Sequence, residues 1–304
     1  MIRFDGSASS PDLRYGIAPE GYRLPGATRV GWVVLQVGDL ERSLDWYGRV
    51  LGFHVHDRAP GRAALGPVGG EVLIELEEKV GATPVGRLAR LGLFHFAILL
   101  PDRTTLGRFV RHVSGLREPM GASDHRVSEA LYLHDPDGLG VEVYADRPRE
   151  AWQHRDRQIT MTTDPLDLVD LVRAGGAEPW RGMPTGTTMG HVHLHVGDLD
   201  RADAFYHRRL GLDRMAWSYP GALFLAAGGY HHHLGVNTWA AGARPPGGQE
   251  AQLLEWVLVV PTEDDAEATL VSLGHDPAAG AAVPDPWGTV VRVRSADRPY
   301  HAGA

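Results

Sequence analysis

The chain repeats itself, and a repeat constrains the fold more than any composition does, because similar stretches fold alike and pack on one another. Residues 31–47 read GWVVLQVGDLERSLDWY and residues 190–206 read GHVHLHVGDLDRADAFY. Gly31 aligns with Gly190, Asp39 with Asp198 and Tyr47 with Tyr206, each at an offset of 159. The first half of each copy alternates apolar and polar residues, the period of a strand, and the second half has helical spacing behind an Asp-Leu start. Asp39 and Asp198 are suited to accept from the backbone of the first helical turn. Three short strands separated by Gly/Pro turns follow, so the unit reads βαβββ.

A fainter pair lies between and after these copies. LFHFAILLP (93–101) resembles LLEWVLVVP (253–261) at an offset of 160, and each precedes a helical stretch. Asp135-Pro136-Asp137-Gly138 matches Asp285-Pro286-Trp287-Gly288 at an offset of 150, each followed by an apolar strand. The chain therefore divides into four modules near residues 30–80, 91–148, 188–240 and 252–297. The expected organisation is α+β. A loose N-terminal arm (1–27) leads into a first half (28–148, modules one and two), then a polar linker (149–187) with a short helical patch at DPLDLVDLV, then a second half (188–304).

Composition narrows the chemistry. The 304 residues include no Cys, which excludes a disulfide framework, zinc-thiolate and iron-sulfur sites and a thiol nucleophile. Metal chemistry is left to His, Asp, Glu or Tyr, and there are 16 His. A net charge of −8 without a basic stripe argues against nucleic acid as a partner. No apolar run approaches the roughly 18 residues of a membrane span, and the polar, Gly/Pro-rich N-terminus lacks an apolar signal core, so no membrane partner is expected and a cytoplasmic location is.

Four tandem βαβββ units with GDLxRxxxxY helices resemble the vicinal oxygen chelate superfamily, which includes glyoxalase I, bleomycin and fosfomycin resistance proteins and extradiol ring-cleaving dioxygenases. The resemblance covers about residues 28–297. LFHFAILLPDR, SDHRVSEALYLHDPDGLGVEVYADRPREAW and GGYHHHLGVNTW are most similar to bacterial catechol 2,3-dioxygenases. It implies that the modules pair into two open cup-like sheets, with metal ligands projecting inward from the first and last strands of a module. At the first-strand position the four modules carry Trp32, His95, His191 and Glu255. At the last-strand position module two has Glu142, and module four has Arg292, which cannot ligate a cation.

The implied metal set is His95, Glu142 and His191, a two-His, one-carboxylate arrangement that leaves positions open on Fe(II), with Mn(II) or Zn(II) as substitutes. One metal held by all three requires modules two and three to share a cup, leaving a degenerate cup to modules one and four. His193, on the same strand face as His191, stays open as an alternative ligand or a neighbour of the ligands. The resemblance further implies a His and a Tyr upstream of the Glu, here His125 and Tyr132, and a base from the cluster Tyr230-His231-His232-His233. Strand alternation puts His231 and His233 on one face and His232 on the other, and the resemblance favours His233, with His232 as the alternative. Glu255 is expected to pair with Arg292, and Tyr47 and Tyr206 are expected in the core with satisfied hydroxyls.

The implied function is an Fe(II)-dependent extradiol dioxygenase acting on a catecholic substrate with O2, as a homo-oligomer. Two other classes stay open. A glyoxalase-type isomerase or thiol-transferase would carry a further carboxylate where this chain has its His cluster. A metal-free protein sequestering an aromatic antibiotic would have no use for an intact ligand set.

Overall fold

In a computed structural model, which describes residues 15–86 and 90–298, each strand-helix junction forms as the repeat dictates. Asp39 accepts from Arg42 N at 3.0 Å and Asp198 from Arg201 N at 2.8 Å, supplying the acceptor that the first helical turn lacks. Module one comprises the strand Arg29–Val37, a helix Leu40–Trp46 running into a π turn Tyr47–Leu51, and strands His54–Ala59, Arg62–Gly66 and Ile74–Glu78. Module two comprises Gly92–Leu99, the helix Arg103–Leu116, and strands Gly121–Asp124, Ser128–His134 and Gly140–Asp146. Module three repeats the plan from Thr188–His195 to Leu234–Asn237. Module four departs from it: after the helix Glu263–Ser272 it has two strands, Ala282–Pro284 and Val290–Ser295. Pro277 opens a tight turn, Pro277–Ala279, where the first outer strand was expected, and a proline lacks the N–H that a strand ladder needs.

Two sheets result. The eight-stranded sheet joins module three to module two through antiparallel pairing of Thr188–His195 with Gly92–Leu99. The seven-stranded sheet joins module four to module one through Gln252–Val260 and Arg29–Val37. Modules one and two, like modules three and four, thus sit in different sheets, and each such pair is tied across them by side chains of the repeat itself. Tyr47 in the module-one helix donates to Asp135 Oδ2 of the module-two turn at 3.1 Å, and Tyr206 in module three donates to Asp285 Oδ2 of module four at 2.8 Å. The other oxygen of each Asp accepts two backbone N–H groups of its own turn. Both tyrosines are fully buried, so their hydroxyls need these partners.

The arm expected to be loose and the segment expected to be a linker are both docked. Of the N-terminal arm, residues 1–14 lie outside the described residues, but Leu24 is buried, Arg23 forms a two-pronged ion pair with Asp213, and Tyr22 Oη lies 2.9 Å from Thr269 Oγ1. The segment 149–187 buries Trp152, Ile159 and Leu171, forms the helix Leu168–Ala174, and pairs by backbone with Asp124 through Asp164. Its composition is polar, but a few apolar side chains at intervals are enough to fasten it across the mouth of the eight-stranded cup. Among the described residues no helix is long and apolar enough to cross a membrane.

Candidate metal centre and its cavity

The eight-stranded sheet curls around a cavity of about 580 Å³. At its floor the strand alternation aims three side chains at one point. His95 comes from the first strand of module two, Glu142 from its last strand, and His191 from the first strand of module three. Glu142 lies opposite Ala97, two residues beyond His95, on the neighbouring parallel strand. Gly190 lets the strand of His191 approach, since a Cβ there would stand 1.9 Å from Tyr144 Oη.

The ligand atoms of His95, Glu142 and His191 all lie within 4.8 Å of one another, and this is the one such group of three among the described residues. Glu142 Oε2 is 3.0 Å from His95 Nε2 and 3.2 Å from His191 Nε2. All three are buried. Burial pushes the Glu142 carboxyl up, but the close approach of His191 first and then His95 outweighs it and holds the group well below the usual carboxylate range. Burial lowers His95 and His191, and Glu142 opposes this only in part. Neutral imidazoles beside an ionised carboxylate are the state a cation requires. His95 Nε2, although 3.0 Å from Glu142 Oε2, is not aligned for a hydrogen bond with it and is buried without one, a cost that a metal ion at that point removes. The donor set and the orphaned nitrogen fit a divalent cation.

Tyr132 stands opposite Glu142 on the adjacent antiparallel strand, and its ring centroid is 5.5 Å from that of His95. Its hydroxyl is 2.5 Å from His125 Nε2, while His125 Nδ1 donates to Thr162 O at 2.6 Å. A carbonyl only accepts, so Nδ1 carries a proton and a neutral His125 receives the Tyr132 hydrogen at Nε2. Burial, then Glu142, raises the Tyr132 phenol well above its usual range, so it stays a donor. The turn presenting His125 is tight: Arg126 adopts a φ of +66°, and its N–H is held by Asp124. Glu129 and Ala130, which intervene between this turn and Tyr132, do not separate the pair.

The histidine cluster folds differently from expectation. Tyr230 to His233 form an irregular turn ahead of the strand Leu234–Asn237, so strand alternation does not apply. His232 lines the cavity, its ring centroid 4.1 Å from that of His191. His233 is turned away, its Nδ1 accepting from Ala227 N at 3.2 Å, and burial pushes it down to about 3. His231 is sealed behind His232. His193 lines the cavity beside His95 but stands outside the ligand cluster, and its Nε2 accepts from Asn237 Nδ2 at 3.0 Å. The sequence reading missed the roof. Met161 and Thr162 come from the segment taken as a linker, and Tyr219, Phe224 and Trp239 complete an aromatic wall. The apolar pair Ile159 and Met161, alternating in an otherwise polar run bounded by Asp156 and Asp164, was the available signal.

The profile of the Glyoxalase/Bleomycin resistance protein/Dioxygenase superfamily matches residues 29–143. The chain is 44% identical over 253 residues to catechol-2,3-dioxygenase of Bacillus subtilis (strain 168), covering 82% of this chain and 88% of that one. It is 33% identical over 175 residues to biphenyl-2,3-diol 1,2-dioxygenase 3 of Rhodococcus globerulus, covering 49% and 85%. Among solved structures, a variant of glyoxalase I from Zea mays superposes with a TM-score of 0.52 at 17% identity, over 88% of this chain and 92% of that one. That likeness speaks to the fold alone.

Proposed function

The chain belongs to the Glyoxalase/Bleomycin resistance protein/Dioxygenase superfamily, and from that footing we propose that it is an Fe(II)-dependent extradiol dioxygenase opening a catecholic ring with O2, Mn(II) or Zn(II) being substitute metals. The observation that carries this reading is the meeting of His95, Glu142 and His191 at one point on the floor of the cavity. Three protein ligands on one face of a ferrous ion leave positions at which a catecholate and O2 meet, the metal serving as Lewis acid and template.

The surrounding side chains suit the proton movements such a reaction needs. His232, neutral because burial and then His191 hold it well below the usual imidazole range, is the candidate to take a proton from a substrate hydroxyl. Tyr132 lines the cavity with its O–H donated to His125 Nε2, so its oxygen is left as an acceptor for a substrate hydroxyl on the opposite side. The aromatic wall of Phe224 and Trp239 suits a flat ring. Glu142 is the one carboxylate among the described residues lining the cavity, which leaves the isomerase alternative without its further acid.

The test is metal content of anaerobically purified protein, followed by oxygen uptake with a panel of catechols. Wild type is expected to carry one iron per chain and to consume O2 with a catechol, and Glu142→Ala to lose both. Zinc bound without turnover of any catechol, or no metal in either protein, overturns the reading.

A further inference from the structure

Behind His232 the wall of the cup holds a chain of polar groups, buried except for a half-buried Asp146, for which the proposed reaction has no use. Glu142, Tyr144 and Asp146 alternate along one strand and share its inward face. Asp146 Oδ1 accepts from His231 Nε2 at 2.9 Å. His231 Nδ1 faces His232 Nδ1 at 2.8 Å. The other Asp146 oxygen accepts from Tyr230 Oη at 2.9 Å, and Tyr230 in turn lies 2.7 Å from Tyr144 Oη. His231 is 0% exposed, so both its nitrogens depend on these partners. Module four, at the offset of 150, has Arg292, Arg294 and Ala296 in place of Glu142, Tyr144 and Asp146.

Two imidazole nitrogens facing each other at hydrogen-bond distance cannot both be bare or both protonated; one donates and the other accepts. A carboxylate only accepts, so Asp146 fixes the His231 proton on Nε2 and leaves Nδ1 as a lone pair. That lone pair draws the single proton of neutral His232 onto its Nδ1. The nitrogen left bare on His232 is Nε2, which makes no hydrogen bond among the described residues. We propose that Asp146 and His231 are positioning residues that set the tautomer of His232, so that its free Nε2 is the atom that takes the proton of a bound substrate. The inference rests on the dioxygenase reading only for the identity of that substrate; the tautomer relay is a property of the folded chain. The last strand of module two thus supplies both a metal ligand, through Glu142, and, four residues on, the group that orients the base.

The experiment is nuclear magnetic resonance of the full chain labelled with heavy-nitrogen histidine, with the His232 signals identified by their loss in His232→Gln. Wild type is expected to carry the His232 proton on Nδ1 and none on Nε2. Asp146→Ala and His231→Phe are expected to shift the proton onto Nε2, whereas Asp146→Asn, whose amide oxygen still accepts from His231, keeps the wild-type pattern. In turnover of a catechol by iron-loaded protein, Asp146→Ala should lower kcat on the order of 10- to 100-fold with little change in KM, and Asp146→Asn should restore most of it. A proton on His232 Nε2 in wild type, or an unchanged His232 tautomer in both Asp146→Ala and His231→Phe, overturns the proposal. If Asp146→Ala does not fold, His231→Phe carries the test. If the tautomer responds as expected while no iron-loaded variant, wild type included, turns over any catechol, the dioxygenase reading falls and the relay stands.

Discussion

In the eight-stranded sheet Glu142 pairs with Ala97, two residues beyond His95; in the seven-stranded sheet Arg292 pairs with Val257, two residues beyond Glu255. The two cups therefore superpose in register, and the difference between them is chemical. In one cup an acid and two imidazoles converge with an orphaned nitrogen between them. In the other the guanidinium of Arg292 meets Glu255 through two bonds of 2.7 Å, so the cation is built into the protein. Trp32 stands where His191 stands in the first cup. Shape in this fold comes from strand register and turn chemistry, which both cups keep, and metal chemistry comes from three positions, which only one cup keeps.

Equivalent substitutions in the two cups are the hardest test of that contrast. His95→Ala should abolish metal retention, costing more than the roughly 10- to 100-fold that loss of an outer partner costs, and oxygen uptake should fall with it. Glu255→Ala, at the matching position, should leave metal content at the wild-type value. It strands a guanidinium that is 28% exposed, so water replaces part of what is lost and the stability cost is about 1 kcal/mol. Metal analysis and thermal unfolding of the two variants side by side settle it; a loss of metal in Glu255→Ala would mean that the cups are not chemically independent.

Acid should separate the cups by a smaller margin. His95, His191, His193, His232 and His233 are packed around the eight-stranded cup, and burial first of all lowers each, His233 to about 3. A histidine whose folded pKa lies below its unfolded value of about 6.5 stabilises the fold above that value. As pH falls from about 6.5 toward 3 the unfolded chain binds protons that the folded chain refuses, and stability falls by about a few kcal/mol. On metal-free protein, amide exchange should rise in Gly92–Leu99 and Thr188–His195 before it rises in Arg29–Val37 and Gln252–Val260. Simultaneous opening of both sheets, or stability that increases on acidification, would contradict the assignment of neutral buried histidines to the working cup.

How much of this was legible in the sequence follows the same divide between register and turns. The two copies of GDLxRxxxxY and the two Asp-Pro-x-Gly turns gave the modules, because caps and alternation are local signals. The pairing of modules two and three followed from where ligands survive: a metal joins residues that a sheet must first bring together. The resemblance favoured His233 over His232 on the premise that the cluster is a strand; the chain turns at Gly228 and Gly229, both at positive φ, and the period of two stops there. The roof at Met161 and Thr162 was read as linker because it is polar, and its docking depends on partners far away in sequence such as Asp124. The missing strand of module four was marked in advance by Pro277, which repeat matching passed over.

The finest division between the cups lies in the two tyrosine clamps, where the same deletion should have one shared consequence and one that differs. Tyr47→Phe and Tyr206→Phe each remove a donor to a buried carboxylate, and each should cost about 1–2 kcal/mol, a fall of a few degrees in Tm, with Tyr206 at 2.8 Å no cheaper than Tyr47 at 3.1 Å. The turns they clamp lead into different strands. Asp135, held by Tyr47, accepts from Leu139 N at 2.8 Å and so orders the entry to Gly140–Asp146, the strand that carries Glu142. Asp285, held by Tyr206, orders the entry to Val290–Ser295, which carries Arg292. Tyr47→Phe should therefore weaken metal binding a few-fold while Tyr206→Phe leaves it unaltered, read by competition with a chelator at matched stability. Equal metal affinity in both variants would mean that the turn fixes the fold of its module without reaching the ligand three residues beyond Leu139.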